Sequence, residues 1–114
     1  MIDFACKKFD LKEIIRCSFG MSRADFKLFE FLLVQSDEMT TAEISKAVRL
    51  DRTTVQKSIK KLVEKEVVKR LQINLERGGY LYRYQIKDKE LLKRNIIRII
   101  RSWADQAEQG IKDW

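Results

Sequence analysis

The stretch Thr40-Thr41-Ala42-Glu43-Ile44-Ser45-Lys46-Ala47-Val48-Arg49-Leu50-Asp51-Arg52-Thr53-Thr54-Val55-Gln56-Lys57-Ser58-Ile59-Lys60-Lys61-Leu62 holds two helix starts separated by one helix stop. Thr40 followed three residues later by Glu43 is a capping box, in which each side chain satisfies the other residue's orphan backbone N–H. It opens a short helix, Thr41 to Val48, with Ile44, Ala47 and Val48 as its apolar face. Arg49-Leu50 makes a tight turn, and Asp51 then caps a second helix from Arg52 to about Lys65. Its inward residues are Val55, Ile59 and Leu62, at helical spacing. Two short helices divided by a few residues, with apolar Leu50 in the turn, make a helix-turn-helix unit.

Downstream the period changes from helical to two. Leu71, Ile73 and Leu75 alternate with Arg70, Gln72, Asn74 and Glu76, which reads as a strand. Glu76-Arg77-Gly78-Gly79 is a turn with two residues able to take positive φ. Tyr80 to Ile86 returns as the partner strand, rich in aromatic and β-branched types. A helix-turn-helix followed directly by a hairpin with a glycine tip is the order of a winged helix. The three tyrosines, Tyr80, Tyr82 and Tyr84, suit a half-buried strand; stacking on single-stranded bases is the alternative.

Upstream, Ser22 and Asp25 stand at capping-box spacing ahead of Phe26, Phe29, Leu32 and Leu33. Before them Asp10 caps a helix over about residues 9–18, which Gly20 ends. At the other end, Asp88 caps a helix that runs unbroken to the C-terminus. Its stripe is Leu92, Ile96, Ile99, Ile100, Trp103, Ala107, Ile111 and Trp114. About 25 helical residues reach ~37 Å, more than a small core can cover. The far end needs another apolar surface, and a second copy of the chain is the economical one. The expected dimer interface is Ile96, Ile100, Trp103, Ala107, Ile111 and Trp114, joined by Phe4 and Phe9. The fold class is therefore mainly α (α+β winged helix) with flanking terminal helices. One domain is expected over 1–114: an N-terminal helical segment (1–20), a winged-helix core (22–86) and a C-terminal dimerisation helix (88–114).

Composition narrows the function. Histidine is absent among the 114 residues, which removes the commonest general base and the commonest metal ligand together. Cys6 and Cys17 are too few for a structural zinc site. They read as small buried apolar groups, with a redox role as the alternative. No enzyme, metal or cofactor is expected. The N-terminus reaches charge at once and lacks a signal peptide's apolar core, and no apolar run approaches ~20 residues; a cytoplasmic protein is expected. The net charge of +7 is concentrated: residues 49–83 hold ten Lys/Arg against four Asp/Glu, whereas residues 1–48 hold seven against eight. A localised basic surface of this kind is the footprint of a polyanion partner.

At this point the chain resembles a known group. Phe19-Gly20-Met21-Ser22, Thr41 to Ala47 and Asp51 to Leu62 look like the winged-helix domain of archaeal TrmB-type and MarR-type transcription regulators. Glu64-Lys65-Glu66-Val67-Val68-Lys69-Arg70 is close to these families' L-x-E-K-G-L-V-x-R seam, with Glu66 in the glycine's place, which allows a different exit from the helix. The resemblance implies double-stranded DNA as partner. TrmB proteins usually carry a large sugar-sensing domain after the wing, and a chain ending at Trp114 is too short for it, so sugar sensing is not expected. MarR-type dimers pack through helices outside the winged helix, a role open to both terminal helices here.

In such a unit the second helix enters the major groove with its N-terminal residues toward base edges. The inward set turns Arg52, Thr53, Gln56, Lys57 and Lys60 outward. Arg and Gln make bidentate contacts to guanine and adenine; Thr53 and Thr54 reach phosphate or a base edge at the helix start. Lys57, Lys60 and Lys61 suit phosphates, which position without reading sequence. Thr41, Arg49 and the wing-tip Arg77 complete the expected DNA-binding set. The plain alternative for the lysines is a solvated face. For the whole chain it is a winged helix used as a protein-interaction module, its basic helix meeting an acidic surface.

Overall fold

The computed structural model describes every residue from Met1 to Trp114. The elements are β1 (Ile2–Phe4), β2 (Lys7–Phe9), α1 (Leu11–Ser18), α2 (Arg23–Leu33), α3 (Thr41–Val48), α4 (Arg52–Glu64), β3 (Val68–Asn74), β4 (Tyr80–Ile86) and α5 (Lys89–Lys112). They fall into two compact units, Ser22–Lys87 and Met1–Met21 with Asp88–Trp114. No helix is long and apolar enough to cross a membrane.

Ser22–Lys87 is the winged helix. Each helix begins where its cap places it. The Glu43 N–H donates to Thr40 Oγ1 (3.2 Å) and the Thr40 N–H to Glu43 Oε1 (3.1 Å). The same reciprocal pair joins Ser22 and Asp25 at the start of α2, and Asp51 accepts from the Thr54 N–H at 3.0 Å. Helices α2, α3 and α4 pack on one another and bury Leu28, Phe29, Leu32, Ile44, Val48, Val55, Ile59 and Leu62. Truncating a leucine, isoleucine or phenylalanine of this set to alanine removes about 2–5 kcal/mol. Strands β3 and β4 pair antiparallel from Val68↔Ile86 to Asn74↔Tyr80. Gly78 and Gly79, at φ +90° and +80°, turn the chain between them. Tyr84 exchanges two backbone hydrogen bonds with Met39 (2.9 and 2.8 Å), an isolated bridge that ties the hairpin to the segment before α3.

The end of α4 explains the seam at Glu66. The Val67 N–H donates to the Leu62 carbonyl and the Glu66 N–H to that of Val63, both at 3.0 Å. This is the Schellman pattern, and it puts Glu66 at φ +60°. The end of α1 closes the same way around Gly20, at φ +63°. Glutamate therefore takes the left-handed conformation of a glycine, and the exit from the helix is unchanged. Its Cβ is strained there by about 1–2 kcal/mol, part of which glycine's greater unfolded-state freedom offsets. Glu66→Gly is expected to stabilise the fold by about 1 kcal/mol, raising Tm by about 4–8 °C in thermal unfolding. No rise would mean that the backbone relaxes away from this geometry.

Two buried polar side chains, Asp25 and Ser58, link α2 to α4. Burial pushes the Asp25 carboxyl up, but hydrogen bonds from Ser58 and Ser22 and the nearby Lys61 ammonium outweigh it, leaving it below the ordinary carboxylate value. A lowered folded-state pKa stabilises the fold above the unfolded value and is lost as pH falls through the folded one. Unfolding midpoints are therefore expected to drop below pH 4, and Asp25→Asn to flatten that acid limb. An unchanged limb would remove Asp25 as its source.

In the other unit α1 packs against α5, and Asp88 caps α5 as the sequence predicts. Four expectations are corrected. Residues 1–20 are helical only over Leu11–Ser18; β1 and β2 form an antiparallel hairpin, Ile2↔Phe9 to Phe4↔Lys7. Three-residue strands are too short for a period to register. Cys6 and Cys17 are exposed, not buried. Cys6 lies in the turn of that hairpin, and Cys17 lies on an outer face of α1, near Glu13 and Arg16. Ala47 is exposed on α3, so that helix buries only Ile44 and Val48. Ile73 and Leu75 are exposed as well, because the hairpin extends beyond the helices that cover its base.

Candidate nucleic-acid interface

Helix α4 presents two unlike faces. Val55, Ser58, Ile59 and Leu62 are buried, while Arg52, Thr53, Gln56, Lys57, Lys60 and Lys61 are exposed. The period of 3.6 places Thr53, Lys57 and Lys60 on the side opposite the core. Arg52 and Gln56 flank them on one edge. Lys61 lies on the other edge, where its charge acts on Asp25. Thr54 is half-buried, and its side chain is held by the N-cap: the Asp51 carboxyl is lowered by hydrogen bonds from the Thr54 hydroxyl and N–H, helped by Lys57. Of the two threonines, only Thr53 is presented outward.

The turn between the helices adds Arg49. It takes the left-handed conformation at the end of α3 (φ 58°, ψ 41°) and is exposed. Ser45 Oγ donates to the Leu50 carbonyl at 2.6 Å and holds this turn shut. Arg77 is exposed at the hairpin tip, between Leu75 and the two glycines.

Between α4 and the hairpin runs an open cleft of about 370 Å³, lined among others by Thr41, Gln56, Lys60, Arg70, Tyr82 and Tyr84. The Arg70 guanidinium lies over the Tyr82 ring, 4.3 Å from its centre. Tyr84 is buried at the cleft floor, where burial raises its hydroxyl's pKa; Tyr80 is exposed toward the tip, 5.3 Å from Tyr82. The half-buried strand reading thus fits Tyr82 and Tyr84, not Tyr80. Arg83 braces the hairpin base, donating to the Glu38 carbonyl at 3.2 Å and pairing with Glu43 at 3.4 Å.

Thr41, Gln56 and Lys60 are thus gathered at one cleft, with Arg52, Thr53 and Lys57 on the adjoining surface of α4 and Arg77 at the far end of the hairpin. Arg70 and Tyr82 were not legible as part of this cleft. The equal lengths of the two strand patterns hinted at their proximity, since Arg70 is the register partner of Tyr84. Arg83 gives no such hint, being separated in sequence from both its partners.

Residues 15–90 match the family described as "Sugar-specific transcriptional regulator TrmB". An uncharacterised protein of Methanocaldococcus jannaschii is 31% identical over 108 residues, which is 95% of this chain and 85% of that protein. A solved structure described as a "possible transcriptional regulator" from Methanosarcina mazei Go1 matches with a TM-score of 0.92 at 42% identity, over 100% of this chain and 96% of that one. The S. aureus MepR–DNA complex matches with a TM-score of 0.55 at 19% identity, over 86% of this chain and 76% of that one, a likeness of fold.

Proposed function

The chain belongs to the TrmB family of transcriptional regulators, and from that premise we propose that it acts as a homodimer on a two-fold symmetric DNA operator. Helix α4 lies in the major groove, Arg52 and Gln56 reading base edges, with Thr53 at the helix start. Lys57 and Lys60 hold phosphates, and Arg49 and Thr41 flank them. Arg77 reaches the neighbouring minor groove from the wing. The C-terminal helix joins the two copies.

One observation carries this reading. The exposed Arg52, Thr53, Gln56, Lys57 and Lys60 of α4 stand on one surface, next to a hairpin that carries Arg77 at its exposed tip. A solvated lysine face has no need of arginine and glutamine beside it at a helix N-terminus, nor of an arginine on an extended turn.

Selection of bound fragments from random duplex DNA tests the proposal. The enriched sequences should contain inverted half-sites about one helical turn, ~34–36 Å, apart. Affinity should fall steeply with salt as counterions are released. Enrichment of nothing over background would favour the protein-interaction module instead.

The wing has its own prediction. Arg77 is exposed at a tip that contributes nothing to the core, so Arg77→Ala should leave Tm unchanged. Binding to the selected fragment should weaken about tenfold, the scale of one lost charged hydrogen bond. Equal binding by variant and parent would reduce the wing to a structural hairpin.

A further inference from the structure

Tyr80 and Tyr82 have no task in the reading of a duplex by α4. Residues two apart on a strand share a face, so both stand on the side of the hairpin that carries Tyr84, toward the cleft beside α4. Asn74, Gln72 and Arg70, the register partners of Tyr80, Tyr82 and Tyr84, lie on that face as well. Tyr80 is 57% exposed, more than packing of a strand explains. Arg70 is exposed too, with its guanidinium laid over the Tyr82 ring 4.3 Å from the centre. Lys60 and Arg70 outnumber Glu64, the single carboxylate lining the cleft.

Aromatic rings beside cations and amides suit an unpaired nucleotide. A nucleobase has two flat π-faces and a hydrogen-bonding edge. In a duplex the faces are covered by neighbouring base pairs, and only the edges reach a groove. The geometry of the two tyrosines points the same way. Their ring centres are 5.3 Å apart and their planes are inclined at 58°. Successive bases of a duplex strand are parallel and ~3.4 Å apart, so two stacked bases cannot both lie on surfaces disposed like this. The bases of a single strand turn independently, and they can.

We propose that the cleft-facing side of the hairpin is a stacking platform for single-stranded nucleic acid. One base stacks on the exposed Tyr80 ring. Its neighbour stacks on the Arg70 guanidinium, a planar cation that receives a base as an aromatic ring does. Tyr82 holds that guanidinium flat from beneath. Gln72 and Asn74, joined by a hydrogen bond of 3.2 Å, present amide donors and acceptors to the base edges. Lys60, on the α4 side of the cleft, meets the phosphates.

The inference goes beyond the duplex reading and fails separately from it. The probe is a fluorescein-labelled oligodeoxythymidylate of about ten nucleotides, within the span of known single-strand sites, titrated with the full chain and followed by anisotropy. Tyr80→Ala should weaken its binding about tenfold, the scale of one lost base–aromatic stack, with Tm and the salt slope unchanged. Tyr80→Phe should keep the parent affinity, because the stack needs the ring and not the hydroxyl. Lys60→Ala should instead lower the salt slope by about 0.7, the value for one phosphate of a single strand. A duplex of unrelated sequence should be bound alike by Tyr80→Ala and the parent. An oligouridylate of equal length, titrated in parallel, separates RNA from DNA as the source of the strand; either one bound with this dependence on Tyr80 supports the platform. Failure of both oligomers to bind overturns it, as does equal binding by Tyr80→Ala and the parent. Equal losses toward single strand and duplex overturn it too, because Tyr80 would then be a duplex contact.

Discussion

Trp103→Glu is expected to convert the protein to monomers and to abolish operator binding, while leaving each chain folded. The indole is 64% exposed on the isolated chain, so its loss removes little of the chain's own core. At a two-fold seam the introduced carboxylate is desolvated twice, and no cation faces it. An uncompensated buried charge costs about 3–5 kcal/mol, which raises the dimer dissociation constant by at least ~100-fold at 1.4 kcal/mol per decade. The consequence for DNA is larger than for assembly, because two joined winged helices bind two half-sites with the second contact made intramolecular. A monomer keeps only weak, salt-sensitive, non-specific binding. Sedimentation and fluorescence anisotropy on one preparation check both halves. A dimeric Trp103→Glu protein would place the seam elsewhere, and a variant that loses its circular dichroism would show that Trp103 serves the fold.

Arg52→Ala is expected to remove about 1–3 kcal/mol of specific binding, roughly 5- to 150-fold, and to relax the preference for one base pair. Arg52 is the first residue of α4, directly after the Asp51 cap, and it is exposed. A helix entering the major groove by its N-terminus brings that position to the base edges. Lys60→Ala supplies the contrast from two turns further along. It should weaken every sequence alike and reduce the slope of log affinity against log salt by about 1. Unchanged affinity of Arg52→Ala for the selected fragment would sink the assignment of α4 as the reading helix. The reverse pattern, with Lys60→Ala changing sequence preference, would move base reading toward the cleft beside Tyr82.

The helices were legible because their signals are local. Each cap is a side chain reaching a backbone N–H two or three residues on, so Ser22, Thr40, Asp51 and Asp88 could be recognised within a single turn of sequence. The period of the wing strands and the two glycines at its tip are similarly short-range, as are the steps of three and four in the apolar stripe of α5. From these follow the order of elements, the basic outer surface of α4 and the length of apolar helix left over at the C-terminus.

Tertiary packing decided everything that depends on which elements meet. Nothing near Asp25 announces that it is buried and bonded to Ser58 on another helix, nor does anything near Met39 announce its pairing with Tyr84. Ile73 and Leu75 alternate as a buried strand should, yet no helix extends far enough to cover them. Cys6 and Cys17, small and apolar by type, are exposed because one lies in a hairpin turn and the other on an outer helix face. Lys61 was indistinguishable from Lys57 by composition until the packing of α2 placed Asp25 beside it. A local pattern fixes a residue's conformation through neighbours a few bonds away, whereas its burial and charge environment come from residues distant along the chain.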